Sequence, residues 1–426
     1  MTNLVIIDGV RTPFVKAGTA LKDVGAVELG RTAVSALLTK TGIDPAIIDE
    51  TILGCVSQPA DAANIARVVA LRAGIPESTP AMTVHRNCAS GMESLTTAAE
   101  RVASGKGEVF VVGGTESMSQ TPFLYRRSAV EKFTVLSRAK TFWKRLAAMA
   151  KFRPKDFSPV IGLKLGLSDP VCGLNMGQTA EVLAREFEIS RDEQDEYALQ
   201  SHLKAAAANE QLLKEQTPVY FDGAKGKHVI GDNGVRAKQT IEALTKLRAV
   251  FAKEHGSVTA GNASQITDGA VALLVMTEAR AEKLGLEPLG RLVDYAYAGC
   301  SPERMGTGPA YAIGKLKSSC GFDPSDADVV ELNEAFAVQV LAVLELLKDA
   351  GFARENGFGE SAIGAVDLEK LNPLGGAIAL GHPVGASAAR LVLTALTQLK
   401  ENGGKRALVS MCIGGGQGGA AWLERI

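Results

Sequence analysis

Apolar positions fall in two kinds of run. Residues 4–7, 109–112, 329–332 and 407–411 are short and predominantly apolar, the pattern of strands buried on both faces. Residues 26–38, 92–103, 335–347 and 386–399 carry small and apolar side chains at helical spacing. Strand alternates with helix in both halves, which predicts an α/β protein. The order also repeats. Cys88 precedes a small-residue helix, an apolar strand and Gly113-Gly114; His382 precedes a second such helix, a second strand and Gly414-Gly415-Gly416. This predicts two similar halves that place Cys88 and His382 at analogous helix starts.

Residues 121–256 differ in character. Ser190 to Glu193 form a capping box for a helix through about Asn209, with little strand signal nearby. Residues 121–170 hold eleven basic against three acidic side chains, a local charge of +8. Val135, Leu136, Ala139, Phe142, Trp143, Leu146, Met149 and Ala150 share one side of a helical wheel, predicting a basic amphipathic helix. That face could pack on its own domain, lie on a membrane surface or dock a partner subunit.

Composition narrows the class. Hydrophobic residues make up 46% of the 426 and charged residues 22%, so the chain is globular and long enough for two or three packed units. A net charge of −1 argues against nucleic acid as a partner. The six cysteines show no C-x-x-C pair or zinc spacing, which fits a reducing compartment and no metal. No secretory h-region or long apolar run is present, so the expected location is cytoplasmic.

Four segments could carry chemistry. Cys88 lies just before a helix, where the dipole and free N–H groups are expected to lower its pKa; a buried structural cysteine is the alternative. His382, in a glycine-rich turn before Pro383, is the natural base for it, or else a packed histidine. Cys412 opens a glycine run after a strand; without a phosphate-loop signature, Gly414 reads better as an oxyanion donor than as part of a nucleotide loop. Asn333 and Glu334 stand at a strand end, where α/β proteins handle ligands, although Asn333 could equally cap a helix.

Together CASG at Cys88, NEAFA at Asn333, GGAIALGHPVG at His382 and CIGGGQGG at Cys412 closely resemble the thiolase family, as do IDGVRTPF, GGTESMS, TAGNASQITDGA and MGTGP elsewhere in the chain. The resemblance implies a layered α-β-α-β-α thiolase core of two similar halves with a largely helical insertion. Its divisions are 1–121 (completed by about 257–284), 122–256 and 285–426. It further implies thiolysis of 3-ketoacyl-CoA through acyl-Cys88, with His382 as base and Cys412 as proton carrier. His382 and a water held by Asn333 would stabilise the enolate, the N–H groups of Cys88 and Gly414 the tetrahedral oxyanion, and Glu334 would orient the surroundings.

CoA is the implied co-substrate, without a prosthetic group, contacted by Ser264 and Arg236. Asn175 stands where many relatives place a CoA-contacting histidine, and Ala388 where glycine is common. The basic segment looks like the loop of the thiolase subunit of the β-oxidation trifunctional complex. That favours a 3-ketoacyl-CoA thiolase of β-oxidation over an acetoacetyl-CoA thiolase, and implies a homodimer or homotetramer, a possible hydratase/dehydrogenase subunit and possible peripheral membrane contact through 121–170. A β-ketoacyl-ACP synthase would lack a cysteine at the Cys412 position. A lipid-carrier or scaffold homologue would have lost a catalytic side chain, and all four are present.

Overall fold

The computed structural model describes residues 4–222, 226–252 and 254–426. The N-terminal half contains β1 (Leu4–Arg11), α1 (Ala26–Thr41), β2 (Glu50–Gly54), α2 (Ile65–Arg72), β3 (Ala81–Val84), α3 (Ser90–Ala103) and β4 (Val109–Ser117). An inserted region follows with α4 (Arg127–Arg138), α5 (Phe142–Met149), α6 (Met176–Glu186) and α7 (Arg191–Ala207), after which β5 (Thr267–Thr277) returns to the sheet. The C-terminal half contains β6 (Gly290–Gly299), α8 (Gly308–Cys320), β7 (Val329–Leu332), α9 (Ala337–Lys348), α10 (Ser387–Asn402), β8 (Arg406–Ile413) and β9 (Gln417–Glu424).

The duplication expected from sequence is visible in the pairing. In the first half β1 pairs β5 and β5 pairs β4 antiparallel, while β4 pairs β2 parallel. In the second, β6 pairs β9 and β9 pairs β8 antiparallel, while β8 pairs β7 parallel. β3 adds a further parallel strand at the edge of the first half. The halves meet where β1 pairs β6 over two residue pairs, Val5 with Arg291 and Ile6 with Gly290.

Both sheet faces are covered, which explains the continuous apolar runs. Phe110, Val112 and Leu273 face a central layer with Met92 and Leu95 of α3 and Leu391 and Leu396 of α10. Val109, Val111 and Leu274 face outward to α1 and α2. Leu332, Leu408 and Trp422 face α8 and α9. The layers are therefore α-β-α-β-α. α3 and α10 approach so closely that a Cβ on Gly91 would lie 2.8 Å from the backbone nitrogen of Ala389. Ala388 fits within this layer, fully buried.

The basic segment departs from expectation. α4 and α5 are two helices, because Ala139 turns to extended backbone and Thr141 starts α5 by accepting from Lys144 N–H. One continuous wheel over 135–150 therefore does not form. Most of its apolar side chains do not pack onto their own domain: Val135, Phe142, Trp143, Leu146 and Met149 are exposed, Trp143 by 74%, while Ala139 is buried and Leu136 half-buried. Phe133 instead makes the local core, against Tyr125, Phe152 and Phe157. Among the described residues no helix is long and apolar enough to cross a membrane.

The Ser190/Glu193 capping box starts α7 as expected, but the helix stops at Ala207 before a separate short helix, Asn209–Lys214. The region also holds two small ribbons, Phe123–Leu124 with Val160–Ile161 and Val219–Asp222 with Lys227–Val229.

Candidate active site

Cys88 sits in the turn that launches α3. Asn87 before it adopts φ 45°, and its Nδ2 donates to Gly414 O at 2.7 Å, which ties the nucleophile turn to the β8–β9 hairpin. The backbone N–H groups of Gly414 and of Cys88 itself donate toward the sulfur. Enclosure of the sulfur outweighs them, and burial pushes the Cys88 thiol up, with the Glu116 carboxylate adding to the rise. The lowered pKa expected from a helix start is thus overturned: apolar neighbours from both halves desolvate the thiolate more than the N–H groups stabilise it. Cys88 needs a base.

His382 is built to be one. Its loop is held by its own N–H, directed to Gln265 O at 3.2 Å and to Thr267 Oγ1 at 3.1 Å. Ser387 Oγ donates to Pro383 O at 2.8 Å, so toward His382 Nδ1, 2.6 Å away, it acts as acceptor. The hydrogen-bond network thereby assigns the proton to Nδ1 and a free lone pair to Nε2. Nε2 is buried and has no hydrogen-bond partner among the described residues. Burial, followed by the Arg390 charge, lowers the imidazole to about 4, so it is neutral at physiological pH.

Asn333 follows β7 directly, and its N–H donates to Ser410 O at 2.9 Å, two residues before Cys412 on the neighbouring strand. Its side chain is fully buried with both Oδ1 and Nδ2 unpartnered. The capping alternative falls, because α9 begins at Ala337 with Phe336 as its N-cap. Cys412, near the end of β8, is fully buried; burial pushes its thiol well up, and Cys88 contributes to the rise.

Glu334 is a scaffold carboxylate. It accepts from Tyr197 Oη (3.1 Å), Ser201 Oγ (2.7 Å), Asn372 Nδ2 (3.0 Å) and Ile378 N–H (3.1 Å). Charge-assisted bonds of this kind are worth about 1.5–3 kcal/mol each. They fix the loop that leads to His382 against α7.

Of the residues expected at CoA, Ser264 joins this centre through its neighbours: its N–H donates to Ala335 O at 2.9 Å, and Ile266 two positions on bridges to His382. Asn175 caps α6, accepting from Gln178 N–H at 3.0 Å and donating its own N–H to Gln178 Oε1 at 2.9 Å. Its carboxamide oxygen is therefore committed to the helix, whose Met176 reaches the Gly414 turn. Arg236 stands apart, exposed, with its backbone N–H on His202 Nδ1 at 3.2 Å.

Sequence reasoning missed Ser387, which sets the histidine tautomer, and Asn372, whose φ of 43° marks a constrained turn. It also left unassigned Glu116, a fully buried carboxylate beside the centre.

Comparison with known proteins follows the same division. The family model for the thiolase N-terminal domain matches residues 4–279, and that for the C-terminal domain residues 286–425. The mitochondrial trifunctional enzyme subunit beta of Bos taurus is 40% identical over 424 residues, covering 99% of this chain and 88% of that protein. Human mitochondrial 3-ketoacyl-CoA thiolase in complex with CoA superposes with a TM-score of 0.84 at 37% identity, over 99% of this chain and 98% of the other. The acetyl-CoA acetyltransferase of Bacillus anthracis superposes with a TM-score of 0.86 at 36% identity, over 100% and 99%. With both family domains matched in order and the duplicated sheet in place, this chain belongs to the thiolase family.

Proposed function

We propose that the protein is a 3-ketoacyl-CoA thiolase of fatty-acid β-oxidation, cleaving its substrate with CoA to acetyl-CoA and a shortened acyl-CoA. The observation that carries this reading is the buried, unpartnered Nε2 of a neutral His382 in a site with two thiols. The Cys88 proton passes to Nε2, and the thiolate attacks the keto carbon. Breaking the bond between the α-carbon and that carbon leaves the acyl group on Cys88, and the departing acetyl-CoA enolate takes the Cys412 proton at its α-carbon. The CoA thiol then gives its proton to the Cys412 thiolate and attacks the thioester. Cys88 leaves as thiolate and recovers its proton from His382.

The protonated imidazole formed in the first step, together with a water on Asn333, suits the enolate oxygen, while the N–H groups of Cys88 and Gly414 suit the tetrahedral oxyanion. Sulfur nucleophilicity and the acidity of the thioester α-carbon supply the chemistry. Ser264, beside the His382 loop, is assigned to CoA, together with Asn175 and Arg236.

Incubation with acetyl-CoA should add an acetyl group to Cys88, read by peptide mass spectrometry; a label confined to other cysteines refutes the assignment. The likeness to the Bacillus anthracis acetyltransferase favours a second reading, acetoacetyl-CoA thiolysis and synthesis. Thiolysis rates from acetoacetyl-CoA to long-chain 3-ketoacyl-CoA separate the two: activity restricted to the shortest substrate selects the second.

Two assembly features belong to the same reading. β3 has a strand on one side only, which supports a homo-oligomer built across its free edge and is tested by light scattering of the purified chain. The exposed aromatic and basic side chains of α4 and α5 support peripheral contact with an anionic membrane. Anionic liposomes should retain the protein at low salt; absence of retention would reassign the face to a hydratase/dehydrogenase subunit.

A further inference from the structure

Glu116, near the end of β4, is a carboxylate without exposure, and no salt bridge reaches it among the described residues. Its Oε2 accepts from Val56 N–H at 3.0 Å and Gly385 N–H at 2.9 Å; its Oε1 accepts from Ser57 N–H at 2.8 Å, with the Cys55 sulfur 3.9 Å away. These donors come from two segments far apart in sequence, the loop after β2 and the turn that follows His382. Because all three strong partners are N–H donors, the group is held as an acceptor-only carboxylate.

The surroundings leave no slack. A Cβ on Gly385 would meet Glu116 Oε2 at 2.8 Å and Cys55 Cα at 3.0 Å, and one on Gly114 would meet Gly385 O at 2.0 Å. Gly385 therefore rests on β4 and on the β2 loop at once, three residues from His382 and two from Ser387, which holds Nδ1. The strand in the matching position of the other half, β8, carries Cys412 toward the same centre. One strand thus delivers the proton carrier and its counterpart delivers a fixed carboxylate.

We propose that Glu116 is a positioning residue for the acyl-transfer reaction: by clamping Gly385 to the loop after β2, it holds the His382 imidazole in register with the Cys88 thiol. This rests on the thiolase reading of the site. A second consequence is electrostatic. Burial acts most strongly on the Cys88 thiol, the N–H groups of Gly414 and Cys88 oppose it, and Glu116 from β4 adds to the rise; the Cys88 thiol in turn raises that of Cys412 on β8, and His382 comes from the loop before α10. Glu116 adds to the rise of the Cys88 thiol that burial sets, and its own carboxyl is pushed up by burial first, with Asp268 on β5 adding least.

The test uses Glu116→Gln and Glu116→Asp in the full chain, with acetoacetyl-CoA thiolysis and the pH dependence of Cys88 alkylation by iodoacetamide as readouts. Gln retains shape but turns an amide N–H toward an N–H donor and removes the charge. It should lower kcat at least about tenfold with KM within about twofold, and move the alkylation midpoint to lower pH. Asp retains charge but withdraws the carboxylate by one methylene; kcat should fall while the alkylation midpoint stays in place. Folded Gln protein with wild-type kcat, or an unmoved alkylation profile beside a slowed reaction, overturns the proposal. If Gln does not fold, Asp with wild-type kcat overturns it alone. Acetylation of Cys88 by acetyl-CoA in the wild type is read in parallel, so that failure of the thiolase reading is seen separately.

Discussion

Gly114→Ala puts the smallest possible load on the most crowded contact between the halves. The added methyl would lie 2.0 Å from Gly385 O, 2.8 Å from Gly385 C and 3.1 Å from Ala386 Cα, all backbone atoms that cannot rotate away. Ordinary contact begins near 3.4 Å, so the turn must retreat by about 1.4 Å. That turn carries His382 three residues earlier and Ser387 two residues later, and Glu116 holds it at Gly385 N–H. A misplacement of roughly 1 Å in a reacting group costs on the order of a hundredfold in rate, and overpacking about 1–3 kcal/mol in stability. The expected outcome is a kcat reduced about a hundredfold in a protein that still folds, followed by loss of 3-ketoacyl-CoA absorbance and checked by urea denaturation. Gly166→Ala, where a Cβ meets nothing within 4 Å, is the control and should be silent in the assay. A Gly114→Ala protein within about threefold of wild-type kcat would refute the argument that this contact sets the histidine.

Cys412→Ala should still form acetyl-Cys88 but fail to exchange the α-protons of acetyl-CoA, measured by deuterium incorporation; full exchange would remove Cys412 from proton transfer. The His382 value of about 4 lies below its unfolded value of 6.5, so its contribution to stability is complete above about pH 6.5 and is lost as the pH falls toward 4, by about 3 kcal/mol. His382→Gln should therefore gain on wild type in acid denaturation curves; parallel curves would contradict this. Arg390→Met strips Glu331 of a partner at 2.7 Å, both side chains at most 2% exposed, and should cost about 3–5 kcal/mol in urea unfolding above neutrality. The loss should shrink on the acid side, because burial already raises Glu331 to about 7.

The core was readable where both faces of a strand are buried, since continuous apolar runs such as 109–112 leave few alternatives. The four candidate side chains stood out for another reason: each sits at a strand end or helix start, with His382 set among glycines and Cys412 followed by a run of them. What escaped lies in contacts between distant segments. The break between α4 and α5 depends on one cap, Thr141, which wins over a hydrophobic period that runs straight through it. The raised Cys88 thiol depends on burial against an apolar cluster drawn from both halves, much of it far along the chain. Glu334 reads from the sequence as a residue at a ligand-handling strand end, but two of its four donors, Tyr197 and Ser201, come from the insertion and make it a tie bar.

The narrow join between β1 and β6 bears on how the enzyme fails. Cys88 belongs to one half and His382, Asn333 and Cys412 to the other, yet among the described residues β1 and β6 pair over just two residue pairs. The packing of α3 on α10, with the Glu116–Gly385 and Asn87–Gly414 bonds, adds to that join. A modest dose of denaturant that loosens this helix pair would abolish turnover while each sheet keeps its hydrogen bonds, so catalysis should disappear ahead of ellipticity and return only when the halves dock again.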